Sequence, residues 1–555
     1  LYAGSLYKQK KYSESLEVFG EQIAKAEELY GKESEEYRWA YYSLANILAY
    51  DGDIERGSGC YMDLAGQYRD VLLSRLRILP SEKREAYLGG EIEIINNMVP
   101  FGVAAGHNED EFTKIAYDGL LLTKGLLLAS ERTASQIIGQ YGSAEDKNNL
   151  ARLNDLQHQI AALEASGSRD TDKILSVYNE IKRIDSTLAR SCAQYGNISS
   201  FADITYDDIK SKLKDDEVIL DFTDYKPKSR PRQYVCFEIR KNQRYPKVHY
   251  VCNGAEIDSL LDLEKGKWSN LYTGEAARDM ARIIGRPLAD IISDRKTVYY
   301  VPSGVFHKLS IEAIPSGDSL LGDRHDFHRL SSAREILSPK TENKRKSGVL
   351  YGGLNYGKGI KPLSNSLAEV TDISGVIANP VVLSGSLGNK ESFLKLTDAP
   401  DIIHFSTHGF YYNPSDKNLP ASLKGYNDAM SLSGMVMAGG DMSSMEGLLT
   451  AEEISRVALA DTEIACLASC HSGQGEVTAE GIYGLQRAFK KAGARSVIMN
   501  LWEASDMAAK CFMTNFYEDL VNGSQDRRKA FQNARDAVRQ KYSSPYYWAG
   551  FVMID

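Results

Sequence analysis

No block of basic residues stands out in this 555-residue chain, whose net charge is -9. Nucleic acid is therefore not implied as a direct partner. No apolar stretch approaches the roughly 20 residues that a bilayer-spanning helix takes. The most apolar early run, 119–129, is short and contains Lys124. Cysteine is sparse and without framework spacing. Seven are scattered (Cys60, Cys192, Cys236, Cys252, Cys466, Cys470 and Cys511), an odd number with no CxxC pair. That pattern excludes a disulfide scaffold and reads as reduced thiols in a cytoplasmic protein. Nothing calls for a metal or an organic cofactor. The chain opens at Leu1 without a methionine, which leaves an upstream segment, including a removed signal peptide, open.

What is present is ordinary globular composition, 43% hydrophobic and 25% charged, enough for about three or four units of roughly 100–200 residues. Residues 1–145 read as helical hairpins. Leu16, Phe19, Ile23, Ala26 and Tyr30 recur at helical spacing, as do Tyr37, Ala40, Tyr41, Leu44, Ile47 and Leu48. A faint repeat aligns Tyr12 with Ile54, Ser15 with Gly57 and Phe19 with Tyr61. A lone hairpin cannot bury its apolar face, whereas stacked neighbours can; a non-repeating bundle is the alternative. Residues 146–214 form a helical connector with two apolar stripes broken at Ser166-Gly167-Ser168. From 215 the period changes. Short β-rich runs (218–222, 233–239, 248–251, 298–301, 349–352, 381–383, 402–405, 464–468, 497–501) precede or alternate with helical stretches at 367–377, 390–396 and 479–492. That order predicts a mostly parallel sheet with helices on both faces.

Two of these strands end in chemistry. One reads DIIHFSTHGF, with His404, His408 and Gly409; the other reads EIACLASCHSGQGE, with Cys470 and His471. In an open parallel sheet, ligands bind beyond the carboxyl ends of the strands. A histidine past one end and a cysteine past another can share a crevice. A thiol near pH 7 is mostly protonated, so attack on a carbonyl needs a base that later returns the proton to the leaving amine. The oxyanion needs backbone N–H donors, for which Gly409 and Cys470 are candidates. His471 is a poor base, because neighbouring side chains on extended backbone point to opposite sides; it shapes the loop or touches substrate. His404, inside an apolar strand, reads as a hydrogen-bonded core residue. His307 reads as structural.

With these residues in place, the chain resembles a CHAT protein, a caspase-like domain found with tetratricopeptide repeats, in the superfamily of caspases and separases. Further stretches carry the likeness: YVPSGVFHKLSIEAIP from Tyr300, SLSGMVMAGG from Ser431, GLLTAEEI from Gly447, GIYGLQRAFKKAGARSVIMNLWEASD from Gly481 and PYYWAGFVMID from Pro545. The resemblance implies an α-helical repeat region followed by an α/β caspase-like domain. Residues 215–344 would be a non-catalytic structural half and 345–555 the catalytic half. It makes His408 and Cys470 the catalytic pair of a cysteine endopeptidase. In metacaspases an acid two residues before the cysteine selects basic substrates, and here Ala468 stands there. Separases place a pocket aspartate after a tryptophan on the next strand, and Asp506 in NLWEASD falls at that place. Cleavage after Arg or Lys follows, with Asp506 as pocket acid and Glu503 and His471 as weaker contacts. Ser505 or Asp506 is equally a helix cap.

The expected partners are a protein substrate and a regulatory protein on the helical repeats, with no membrane. Residues 411–446, rich in glycine and methionine, read as a long loop that blocks or is disordered until that partner binds. The alternatives are a catalytically silent repeat scaffold and a protease that processes only itself.

Overall fold

The structure is a computed structural model. It describes residues 5–6, 9–32, 34–78, 95–131, 138, 142–165, 171–191, 204–227, 230–338, 347–396, 399–413, 416, 419–426, 429–459, 461–468, 476–478, 481–503 and 505–555. The chain divides into two compact units, Leu1–Leu213 with Phe237–His249, and Lys214–Cys236 with Tyr250–Asp555.

The first unit is built of helices: α1 (Tyr12–Tyr30), α2 (Glu35–Asp51), α3 (Ile54–Ile78), α4 (Glu111–Glu131), α5 (Ala144–Ala165), α6 (Thr171–Ser191) and α7 (Tyr206–Lys212). Ser34 starts α2 by accepting from the Tyr37 amide, and Gly52, at φ 96°, ends it in a left-handed turn. The chain then enters α3 at Ile54. Helices α1 and α3 begin at Tyr12 and Ile54, the residues that the faint repeat aligns, and the equivalent Phe19 and Tyr61 are both buried. The Ser166-Gly167-Ser168 break lies outside the described residues, but α5 and α6 are joined side by side by the Arg152–Glu180 ion pair. No helix among the described residues is long and apolar enough to cross a membrane.

From residue 217 onward the described residues centre on one large sheet. Its strands are β1 (Glu217–Tyr225), β2 (Gln233–Ile239), β3 (Lys247–Asn253), β4 (Thr297–Val301), β5 (Asp326–Arg329), β6 (Gly348–Leu354), β7 (Pro380–Gly385), β8 (Ile402–Phe405), β12 (Ile464–Leu467), β15 (Ser496–Asn500) and β16 (Phe551–Ile554). Between them come β9 (His408–Tyr411), β10 (Ser433–Val436) and β11 (Leu448–Thr450), a separate antiparallel sheet, and the hairpin β13 (Glu476–Thr478) with β14 (Gly481–Tyr483). The large sheet runs β3-β2-β1-β4-β5-β16-β15-β12-β8-β6-β7. The pairs from β15 through β12, β8 and β6 to β7 are all parallel. The last strand, β16, is antiparallel to β15 and parallel to β5.

Strand β8 explains why the sheet needs cover on both faces. Successive side chains alternate sides. His404 points to one face, where it meets Glu369 of α8 (Ser366–Ser374) and Tyr517 of α11 (Asp506–Asn522). Phe405 points to the other face. There it stacks on Tyr351 at 4.6 Å and meets Phe393 of α9 (Lys390–Leu394) and Phe489 of α10 (Leu485–Ala492). A strand buried twice reads as a continuous apolar run, and β8 and β12 do.

Two expectations need correcting. The stretch 479–492 is not one helix: Gly481–Tyr483 is a strand, and α10 starts only at Leu485, after Gly484 in an extended conformation. Residues 411–446 are not a bare loop. They hold β10, and Leu423, Leu432 and Val436 from this stretch pack with the flanking Phe410 and Leu448 in a local apolar cluster; the backbone of Ser433–Val436 pairs with the strand that begins at His408.

His404 is fully buried, with Nε2 donating to Glu369 at 2.8 Å and Nδ1 3.2 Å from the Tyr517 hydroxyl. Glu369→Ala would strand that N–H in a dry core, so an unfolding titration should show a loss of about 3 kcal/mol. Lys395→Ala, at an exposed pair with Glu391, should leave the unfolding midpoint nearly unchanged. Equal effects would mean that the buried pair is not anchored as described.

Candidate active site

Strands β8 and β12 lie side by side in parallel. Ile402 faces Ile464 and Phe405 faces Leu467, an offset of 62 residues. His408 and Cys470 are separated by the same 62 residues. Each therefore follows its strand's last residue by three positions. The Ala468 amide donates to the Phe405 carbonyl at 2.9 Å, which carries the pairing one residue past β12. Neighbouring strands lie about 4.8 Å apart, so Ser406 and Ala468, the first residues past the two strands, leave the sheet side by side. Cys470 and His471 themselves lie outside the described residues.

His408 is half-buried, and its ring is held on two sides. Nε2 donates to the Lys361 carbonyl at 2.7 Å. A carbonyl only accepts, so this contact requires the proton on Nε2 and leaves the Nδ1 lone pair for another donor. Lys361 precedes Pro362, a position biased to extended backbone. The Tyr356 ring meets the imidazole edge-on at 5.0 Å. Thr407 gives its hydroxyl proton to the Val436 carbonyl, so the Tyr356 hydroxyl donates to Thr407 at 2.9 Å. Burial pushes the Tyr356 phenol up and keeps it neutral.

Gly409 pairs with Met435 in the β9–β10 ladder. The Tyr412 amide donates to Leu432, which makes Tyr412, Phe410 and His408 the bonded positions of that ladder. Gly409 sits between them, so its N–H points away from β10, towards the open edge of β9.

Past β15, Trp502 is buried, with its indole N–H donating to the Tyr546 carbonyl at 2.9 Å and its ring 5.6 Å from Tyr272. Ser505 caps α11 by accepting from the Ala508 amide. The cap is thus Ser505, and Asp506, the first helical residue, keeps an exposed carboxylate; Glu503 is exposed too. His307 is buried in a short 3-10 turn, where its carbonyl accepts from Arg329 at 2.6 Å.

His404 and His408 are four residues apart, a spacing that would put two ligands on one side of a helix. On a strand, with His404 tied to Glu369 and Tyr517, they do not converge. Among the described residues no group of three or more His, Cys, Asp or Glu side chains could hold a metal ion. The contributors that residue-type reasoning missed are Tyr356 and the Lys361 carbonyl. Their signal was the glycine- and proline-containing run NYGKGIKP after β6, a loop at the same sheet edge.

A family model described as "CHAT domain" matches residues 274–555. Tetratricopeptide repeat protein 28 of Homo sapiens is 30% identical over 244 residues, which are 40% of this chain and 9% of that protein. The chain spans 8–9% of the length of the curated relatives it matches. Among solved structures, the Saccharomyces cerevisiae separase–securin complex is similar at 10% identity and a TM-score of 0.40, over 94% of this chain and 49% of that one. The Arg-specific cysteine proteinase gingipain R of Porphyromonas gingivalis is similar at 9% identity and a TM-score of 0.34, over 54% and 74%.

Burial pushes the Cys466 and Cys252 thiols up to about 12. Both should remain neutral and unmodified by iodoacetamide at pH 8 in the folded chain, and become modified in guanidinium. Mass-spectrometric mapping checks this; rapid folded-state labelling of Cys466, four residues before Cys470, would contradict the buried network.

Proposed function

Because the chain belongs to the CHAT domain family, we propose that it is a caspase-like cysteine endopeptidase in which His408 and Cys470 act together. The observation that carries this reading is the shared 62-residue offset, which makes both residues successors of paired strand ends. In the mechanism, His408 Nδ1 takes the Cys470 proton while the Lys361 carbonyl holds Nε2–H. The thiolate attacks the scissile carbonyl carbon, and the carbonyl π pair moves to oxygen. The Gly409 and Cys470 N–H groups receive that oxyanion. Collapse breaks the C–N bond, and the amine leaves with the proton from Nδ1. Water then attacks the thioester, giving a proton to Nδ1, which returns it to sulfur as the acid departs. No metal or organic cofactor enters any step.

Residues 345–555 form the catalytic half in this reading, and 215–344 the structural half. Asp506 selects Arg or Lys at the cleavage site, with Glu503 and His471 as further contacts. Support for Asp506 is that Ser505 supplies the cap, which leaves the Asp506 carboxylate exposed. The helical region 1–145, followed by the connector 146–214, receives a regulatory protein in the cytoplasm. Its run of consecutive helices, and relatives named for tetratricopeptide repeats, favour that role.

An electrophilic peptide probe ending in Arg should label Cys470, and labelling should fall at least about 100-fold in His408→Ala. No labelling with or without a partner would leave a repeat scaffold instead. Turnover at full rate by the purified chain would refute partner control, and cleavage only of its own chain would mark a self-processing enzyme. In a peptide library, Asp506→Ala should lose the preference for Arg or Lys by about 10–100-fold; an apolar or acidic preference in the parent chain refutes the assignment.

A further inference from the structure

We infer that Gly357 is a positioning residue, which clamps the loop 355–361 so that the Lys361 carbonyl reaches His408. The inference rests on reading His408 as the general base. The loop leaves β6 at Leu354 and, besides the Tyr356 side chain, is held at its start by three backbone hydrogen bonds. The Asn355 amide donates to the Gly385 carbonyl at 3.1 Å. The Gly439 amide donates to the Asn355 carbonyl at 2.8 Å, and the Gly357 amide donates to the Gly440 carbonyl at 2.8 Å. Residues 439–440 belong to the turn that follows β10, the strand paired with His408. One end of this turn therefore sits in register with the histidine, through His408 opposite Val436. The other end grips the loop whose carbonyl orients the same ring.

The approach leaves no room for a side chain at 357. A Cβ there would lie 2.6 Å from the Asp441 Cβ and 2.8 Å from the Gly439 carbonyl oxygen. Any larger residue must push the loop off the turn. Four residues later the chain reaches Lys361, so displacement at 357 moves the acceptor of Nε2–H. His408 then loses the contact that fixes its tautomer, and the fraction with a lone pair on Nδ1 falls. Nothing in this contact touches substrate, so the cost belongs to kcat and not to KM. A loss of about 10–100-fold is the scale for misplacing a catalytic group by an ångström.

The test uses the full chain, with ¹⁵N-labelled histidine and His408→Gln to assign the signal. In the parent protein His408 should show a protonated Nε2 and an unprotonated Nδ1. Gly357→Ala should lower kcat about 10–100-fold at unchanged KM, mix the two tautomers, and leave the thermal midpoint within a few degrees. Adding Asp441→Gly removes the nearest clash and should recover part of both kcat and the tautomer. Unchanged kcat and tautomer in Gly357→Ala overturns the clamp. So does a parent His408 protonated on Nδ1, a result that needs no variant to fold. If the parent protein cleaves and labels with nothing, the protease reading fails, while the tautomer comparison still decides the clamp.

Discussion

The pairing of β8 with β12 is the contact on which the site depends. Two parallel strands, each four residues long, share a register that makes residues 62 apart neighbours. Parallel pairs are buried on both faces, so this register stands only while both faces are filled. Tyr351, Phe393, Phe405 and Phe489 fill one with aromatic rings, Tyr351 stacked on Phe405 and the others meeting edge-on or tilted. The other holds a polar arrangement, in which His404 lies between Glu369 and Tyr517 and the Tyr517 hydroxyl also engages the Cys466 thiol. A one-residue slip would turn His404 into the aromatic face and leave Glu369 without its donor. Polar atoms with no solvent are less forgiving than rings, and this network ties the two strands' register through α8 and α11.

Direction adds a second constraint. Strands β6, β7, β8, β12 and β15 run the same way, so their carboxyl ends share one edge. That edge carries the loop after β6 with Tyr356 and Lys361, the segment after β8 with His408, the segment after β12, and Trp502 after β15. Between β15 and β16 the direction reverses. Strands β1, β4, β5 and β16 thus point their carboxyl ends the other way, so the sheet presents no carboxyl ends of this set on the edge that carries His408.

Much of this was legible in residue pattern. The nine β-rich runs correspond to strands because period and composition act locally. The His408–Cys470 spacing was legible too, since a fixed offset between two strand ends is what a parallel register produces. The antiparallel sheet β9-β10-β11 was not: SLSGMVMAGG carries the glycine and methionine content of a loop, and its strand exists through pairing with distant HGFY. The start of α10 was misjudged because Ile482 and Tyr483 fit either a helix or a strand. The Lys361 carbonyl could not be read from residue type, since every residue carries one. The cap at Ser505 was one of two options that only hydrogen-bond geometry separates.

The last eleven residues have a part in the site that their position in the chain hides. PYYWAGFVMID supplies the Tyr546 carbonyl that receives the Trp502 indole proton, and Gly550 beneath the same ring. A Cβ on Gly550 would lie 2.9 Å from Trp502 Nε1 and Cε2, so the ring rests directly on backbone. The Leu501 amide donates to the Gly550 carbonyl at 2.8 Å. Residues 501–502 are therefore fixed from two directions before the chain turns into α11 at Asp506. In the proposed reading the chemistry sits beyond strand ends set by β8 and β12. The surface beside it, where Glu503 and Asp506 are exposed, is set by β16 and its approach. Separate supports of this kind would let exposed residues such as Glu503 and Asp506 change without disturbing the register that holds the histidine.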